Sequence, residues 1–469
     1  MSVAEVESSV EEDHHYVAIL TSNGTRLLVD RTGECSFGLP SFVSHCDAVI
    51  SIKYLSALSE HFGINKCLHI VEDVQCLEEQ TDPRHDGSLV IVEVEDDGYC
   101  TLERFEHVEW KHLFRTDSLR CDCPYALGFL RGFLTQSGGV DMDRSLLPWC
   151  ILGFYRKVYS SVDESLEGTS YVRTGCPQQV RFSYHSTVYR IPTATGYVFV
   201  KYVSEKSTEI PKTSVITGCL PEVSQSPMCI NTKLNALFTV DFGMPLTDTC
   251  FAMNRPAAGY ENVLSVSGLV LERWARTQQQ SSSFLADLVA GGVPVRDEEW
   301  IWRGLLRVET FANRNLSSVP GISCQLQFGR SYLECVFRVW KDIPLPNTLV
   351  HGDLNESNMA QPEGPGTSFL FFDWELSYIG HPFLDLLDEK WNPVFRGVGK
   401  FLESWAKYAG ISLKKAEELA IWTKPVGHLV TAIIELENPS LPEVFRKSSV
   451  SSGIQSFIEA ACSQSEDLA

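Results

Sequence analysis

The stretch LVHGDLNESNMAQPEGPGTSFLFFDWE, residues 349 to 375, constrains the fold more tightly than any other part of this 469-residue chain. Its centre, QPEGPGT, is rich in Pro and Gly and reads as a turn, so NMA and FLFFD on either side pair as two strands. That pairing puts Asn358 and Asp373 side by side, with His351 and Asp353 just upstream. An acid, an amide five residues later and a second acid beyond a hairpin suit phosphoryl transfer. There an acid must orient the attacking hydroxyl, and oxygen ligands must hold Mg²⁺ against the nucleotide phosphates.

The length exceeds that of one ordinary domain and predicts two or three folded units. Apolar residues make up 44% and charged residues 21%, the composition of a soluble globular protein. Runs such as FLFFDW are far shorter than the roughly 20 residues that a bilayer span requires. The opening MSVAEVESSVEEDHHY is acidic where a secretory signal would be basic. These features predict a cytoplasmic protein with no membrane partner. Thirty-nine Lys plus Arg against 60 Asp plus Glu give a net charge of −21, which repels a phosphate backbone and argues against nucleic acid. The same charge suits a cationic small-molecule acceptor, although it also serves solubility alone. Fifteen cysteines, an odd number without any C-x-x-C pair, read as free thiols in a reducing compartment.

Residues 1–15 read as a disordered acidic tail. A first α/β region at 16–145 opens with YVAIL and TRLLVD as a hairpin and continues with CLHIVEDV and SLVIVEVE as strands. Between them AVISIKYLSALSEHFG reads as a helix, with Ile50, Tyr54, Leu55 and Leu58 on one face, and YALGFLRGFL reads as another. A helical linker at 146–168 leads to a strand-rich region at 169–250, where QQVRFSYHSTVYRIPTATGYVFVKYV turns near Tyr184-His185 and Ala194-Thr195-Gly196. Residues 251–469 are mainly helical, with QQQSSS (278–283) read as a solvated loop.

His351-Gly-Asp-Leu-x-x-x-Asn358, followed by Phe-Asp373-Trp-Glu375 and Gly380-His-Pro-x-x-Asp385, resembles the aminoglycoside phosphotransferase and choline kinase-like family over roughly residues 165–469. The resemblance implies an α+β, two-lobed protein-kinase-like fold with a small β-rich lobe and a large helical lobe. It further implies ATP and Mg²⁺ as cofactors, Asp353 as catalytic base, Asn358 and Asp373 as metal ligands, and His351 and Asp385 as supports, Asp385 bracing the loop from a following helix. A kinase also needs a cation on the nucleotide phosphates, normally a lysine in the third strand of the small lobe. Lys201 within VFVKYV fits, on the strand face of Phe199 and Val203. Glu209 is the candidate for its partner, at a helix start that Pro211 permits. The loop FSYHST lacks the glycines of a protein-kinase phosphate loop. Asp241 in VDFG precedes His351 by more than a hundred residues and is read as structural. Gly352 replaces the arginine that pairs with a phosphorylated activation loop, and only six residues separate Asp373 from Gly380. Both departures favour a small-molecule acceptor. Trp391, Trp405, Trp422, Glu435 and Glu437 fall where such an acceptor would be lined.

Residues 16–64 resemble the opening of a Nudix hydrolase domain, through VAILTSNGTRLLVD, FGLPSF and SALSEHFGI. Laid from Leu39-Pro40, the Nudix box glycine falls on Phe42, its early glutamate on Ala48 and its Arg-Glu pair on Ser56-Ala57; Glu60 alone remains of the Glu-Glu pair, beside His61, and Gly63-Ile64 close the box. One carboxylate cannot hold the hard cations that such hydrolysis needs. The resemblance therefore implies a catalytically dead Nudix-like domain at 16–145 that docks a protein partner, binds a ligand or packs against the kinase-like lobe. For the whole chain the expectation is an ATP- and Mg²⁺-dependent small-molecule kinase, with a pseudokinase scaffold as the alternative.

Overall fold

The structure, a computed structural model, describes residues 13–21, 26–31, 37–38, 41–44, 52–62, 68–76, 87–94, 105–109, 119–120, 130, 147–151, 153–183, 185–246, 260–315, 322–362, 369–386, 393–438 and 443–467. Two compact units divide the chain: Met1–Glu205 with Cys229–Val240, and Lys206–Met228 with Asp241–Ala469.

The first unit holds an eight-stranded sheet: β1 (Asp13–Thr21), β2 (Arg26–Arg31), β3 (Phe37–Gly38), β4 (Ser41–Ser44), β5 (Leu68–Cys76), β6 (Gly87–Val94), β7 (Phe105–Glu109) and β8 (Leu119–Arg120). Its order is β5-β6-β1-β2-β3-β8, with β4 beside β1 and β7 beside β2. The expected hairpin forms, Leu20 opposite Leu27, while β1 runs parallel to β6 along its other edge. Val17 to Leu20 and Leu89 to Val92 are all buried, so these strands are covered on both faces and their apolar residues run on without alternating. Helix α1 (Ile52–His61) buries Tyr54, Leu55 and Leu58 on one face and exposes Glu60 and His61; Ile50, Leu39, Pro40, Ala48, Gly63 and Ile64 lie outside the described residues. The second expected helix, at 125–134, also lies outside them except for Leu130.

The stretch read as a linker forms α2 (Phe154–Leu166), which precedes a five-stranded antiparallel sheet. Its strands are β9 (Gln178–Phe182), β10 (Ser186–Thr193), β11 (Gly196–Val203), β12 (Cys229–Asn231) and β13 (Ala236–Val240), in the order β12-β13-β11-β10-β9. Val198, Val200 and Tyr202 bury one face of β11, and the alternation leaves Phe199 and Lys201 half-buried on the other. Polar side chains join the two sheets of this unit. Gln179 Oε1 accepts from Ile70 N at 2.7 Å while its Nε2 donates to Ile70 O at 3.3 Å, so one amide imitates a strand partner for β5. Both Glu93 oxygens accept from Gly153 N, at 2.8 and 2.9 Å, where α2 begins, and the buried His69 ring stacks on Tyr155 with centroids 4.6 Å apart.

The second unit is mainly helical: α3 (Glu209–Cys219), α4 (Tyr260–Ser281), α5 (Leu285–Ala290), α6 (Glu298–Asn315), α7 (Ile322–Asp342), α8 (Val398–Ala409), α9 (Leu413–Glu437) and α10 (Glu443–Asp467). Short strands interrupt the helices: β14 (Met244–Pro245), β15 (Thr348–Val350), β16 (Met359–Gln361), β17 (Leu370–Phe371) and β18 (Tyr378–Gly380). Trp274, Trp374, Trp405, Phe371 and Tyr378 are fully buried at its centre. Helix α9 is long and apolar enough to cross a membrane, yet Leu419, Leu429, Val430 and Ile433 are buried within this unit.

One expectation is corrected here. QQQSSS is not a solvated loop: residues 278–281 complete α4 and Ser282–Phe284 form a 3₁₀ turn. Gln278 and Ser281 are fully buried because they extend the stripe of Trp274 by four and seven residues, on the core face of the helix. Their polar groups are satisfied there, Gln278 Nε2 donating to Pro382 O at 2.9 Å and Ser281 Oγ accepting from Leu349 N at 2.9 Å. Composition alone hides such a stripe.

Candidate active site

Strand β15 delivers His351 into a tight turn, held in place by antiparallel pairing with β18, Val350 opposite Tyr378. Gly352 sits at φ +80°, and a Cβ there would collide with the carbonyl oxygen of Leu376, so the turn requires glycine. The buried Asp385, in the 3₁₀ turn Pro382–Asp385, clamps this turn from below. Its Oδ2 accepts from His351 N at 3.0 Å, Trp274 Nε1 at 2.9 Å and Gln278 Nε2 at 3.2 Å, and its Oδ1 accepts from Gly352 N at 2.9 Å. Burial pushes the Asp385 carboxyl upward, against the opposing pull of His351 and these donors. The His351 ring continues the chain of bonds: Nε2 lies 3.0 Å from Phe372 O, which can only accept, and Nδ1 accepts from Asp353 N at 3.3 Å.

Two amides grip Asp353. Asn355 Nδ2 donates to its Oδ1 at 2.8 Å, and Asn358 Nδ2 donates to its Oδ2 at 2.8 Å and to its carbonyl at 2.9 Å. Asn355 also caps the 3₁₀ turn Glu356–Asn358, accepting from Ser357 N at 2.9 Å. Asn358 is buried, and with its nitrogen committed to Asp353 its Oδ1 has no hydrogen-bond partner among the described residues.

The hairpin forms as expected, Met359 opposite Phe371, with Phe372 N donating to Asn358 O at 3.1 Å. Asn358 thus faces Phe372, and Asp373 follows one residue on, in the left-handed region at φ +65°. For a residue with a Cβ this conformation costs about 1–2 kcal/mol and persists only where the surroundings enforce it. The enforcing bonds are present. Trp374 Nε1 donates to Ser224 Oγ at 2.9 Å, Ser377 Oγ donates to Trp374 O at 2.7 Å, and Lys212 Nζ donates to Glu375 O at 2.6 Å.

Carboxylate oxygens of Asp373, Glu375 and Glu209 lie within 4.8 Å of one another, the one group of three such ligands among the described residues. The buried Lys212, one turn along α3 from Glu209, has its ammonium pushed down to about 8 by burial and by Arg296, with Glu375 and Glu209 opposing. Arg296 lies between the rings of Trp300 and Tyr378, 4.9 and 4.8 Å from their centroids, and burial lowers it to about 10. The all-oxygen carboxylate group and the unpartnered buried amide oxygen of Asn358 are donor types that fit Mg²⁺, a hard cation.

His351, Asp353, Asn358 and Asp385 are thus joined by hydrogen bonds within the helical unit, and Asp373 lies just beyond the hairpin. Lys201 belongs to the other compact unit, opposite Val188 and Leu237 in its sheet. Asp241 is exposed and accepts from Gly243 N at 2.9 Å, a local turn bond. Trp405, expected near the acceptor, is instead core, its Nε1 donating to Gln278 Oε1 at 3.2 Å. Trp422 packs on Tyr332 and Glu437 pairs with Arg307, while Trp391 lies outside the described residues. Asn355, Gln278, Trp274 and Lys212 were not anticipated. A short N-cap pattern at Asn355 and the four-residue step from Trp274 to Gln278 were the available signals. Nothing in the sequence around Lys212 marks it.

Residues 270–418 match the sequence model described as "Phosphotransferase enzyme family", a segment that contains Trp274, Gln278 and every residue from His351 to Asp385. No curated protein matches the chain. Among solved structures, the GDP complex of wild-type aminoglycoside 2'-phosphotransferase-IIIa is 12% identical with TM-score 0.45, covering 66% of this chain and 98% of that one. A Plasmodium vivax ethanolamine kinase is 14% identical with TM-score 0.42, covering 61% and 82%. A choline/ethanolamine kinase family protein from Mesorhizobium loti is 13% identical with TM-score 0.43, covering 65% and 98%. The chain is α+β, with a β-sheet unit and a mainly helical unit, and its residues 270–418 match a phosphotransferase enzyme family.

Proposed function

We propose that the chain transfers the γ-phosphoryl group of ATP to a hydroxyl of a small, cationic acceptor. The observation that carries this reading is the division of labour in Asn358: its nitrogen fixes the Asp353 carboxylate while its buried oxygen is left for a cation. Asn358 Oδ1 and the Asp373 carboxylate would hold Mg²⁺, which supplies charge neutralisation on the phosphates.

The protein's own groups do the rest. Asp353, held by two amides, keeps one lone pair on each oxygen for the acceptor hydroxyl, aligns that hydroxyl for in-line attack and accepts its proton as the O–P bond forms. His351 and Asp385 keep the turn that presents Asp353 from relaxing. Lys201 keeps the nucleotide-phosphate role that the resemblance implies, while Glu209 lies in the acidic group with Asp373 and Glu375. The net charge of −21 favours a cationic acceptor over an anionic one. ATP consumption against a panel of amino alcohols, amino sugars and choline-like amines, compared with neutral and anionic alcohols, tests the proposal. Turnover of a cationic alcohol that Asp353→Asn abolishes is the expected result; ATP binding without turnover of any acceptor would identify a pseudokinase.

A further inference from the structure

The proposed metal-binding arm depends on a helix that carries no residue of the catalytic turn. Asp373 adopts a left-handed backbone, and the chain after it is held from three sides: Trp374 by Ser224, Glu375 by Lys212 and Leu376 by Arg296, whose Nη1 lies 3.4 Å from the Leu376 carbonyl. Of these contacts, the Lys212 bond is the shortest at 2.6 Å and comes from a buried ammonium. Lys212 lies three residues after Glu209 on α3, so the first turn of one helix supplies both a carboxylate of the acidic group and the donor that holds the adjoining main chain. Three carboxylates within 4.8 Å repel one another, and a cation beside Glu375 and Glu209 reduces that repulsion before any metal arrives.

We infer that Lys212 is a positioning residue for divalent-metal binding: by bonding the Glu375 carbonyl it ties α3 to the segment after Asp373 and keeps the carboxylates at ligand spacing. The inference rests on the phosphotransferase reading above and names a residue that neither the family match nor the catalytic motif assigns. A merely electrostatic view predicts the opposite sign, since removing a nearby positive charge would tighten cation binding.

Mn²⁺ binding to the full chain in the presence of ADP, followed by the loss of the free-ion electron paramagnetic resonance signal, separates these outcomes. Lys212→Met should weaken Mn²⁺ about tenfold while retaining a cooperative melting transition, and Lys212→Arg should restore most of the affinity. Unchanged or tighter Mn²⁺ binding by folded Lys212→Met would overturn the inference. Should Lys212→Met fail to fold, Lys212→Gln, shorter and neutral, takes its place with the same expected loss and the same overturning result. Failure of the wild-type chain to bind Mn²⁺ with ADP would overturn the phosphotransferase reading itself, which distinguishes the two failures.

Discussion

Asn358 Nδ2 lies 2.8 Å from Asp353 Oδ2, so the candidate base and the candidate metal ligand share one amide. Asn358→Asp keeps an oxygen toward the metal side and sets a second carboxylate against the first. The two carboxylates repel, and the variant lacks the Nδ2 donor that fixes the Asp353 carboxylate. Turnover near neutral pH should fall about tenfold or more as the base loses its fixed orientation. Paired kcat measurements on wild type and variant check this, and unchanged turnover would separate Asn358 from the base.

Asp385 receives four donors in a buried site, so its removal strands them together. Asp385→Ala should cost about 3–5 kcal/mol of unfolding free energy, the range for breaking a buried charged network. Asp385→Asn, which retains one acceptor oxygen, should cost about half as much. Urea unfolding monitored by tryptophan fluorescence reads both, and Trp274, bonded directly to the carboxylate, is well placed to report the change.

Gly352 combines a positive φ with a close approach to the Leu376 carbonyl. Gly352→Ala should therefore destabilise by about 2 kcal/mol through backbone strain and contact together, and should reduce turnover more than it reduces nucleotide affinity, because Asp353 is the next residue. Separate measurement of kcat and of ADP binding distinguishes this from general unfolding.

The turn that carries the candidate base was legible because an acid and an amide stand at fixed spacing, and because Pro and Gly at 362–366 announce the hairpin. Strands β9 to β11 were legible from alternation and from the turn residues between them. What failed was polar composition in a buried place. Gln278 and Ser281 look like loop residues until Trp274 fixes their helix face, and their partners, Pro382, Asp385 and Leu349, lie tens of residues or more away in sequence. Lys212 was illegible for the same reason, since its partner is a main-chain carbonyl 163 residues on. Of the tryptophans placed near the acceptor, Trp405 is fully buried in the core and the half-buried Trp422 packs against it, as large rings at helical spacing usually do.

Two buried histidines set the expected response to acid. Burial pushes both His69, in the sheet unit, and His381, in the helical unit against Trp340, down to about 3. In the unfolded chain an imidazole takes up its proton near pH 6.5. Between those values the unfolded state binds more protons than the folded one, so stability rises with pH across the window and is lost as pH falls from about 6.5 toward 3. Below the unfolded pKa each histidine should contribute a slope of about 1.4 kcal/mol per pH unit. His381→Gln keeps an acceptor for Phe383 N, which His381 Nδ1 meets at 3.3 Å, and removes the titrating ring. Unfolding free energies of wild type and variant from pH 4 to 6 should therefore differ in slope by about that amount, with the variant less acid-sensitive. Carboxylates contribute equally to both proteins and cancel in the difference. Parallel slopes would mean that His381 is protonated in the folded state and that its stacking on Trp340 tolerates the charge.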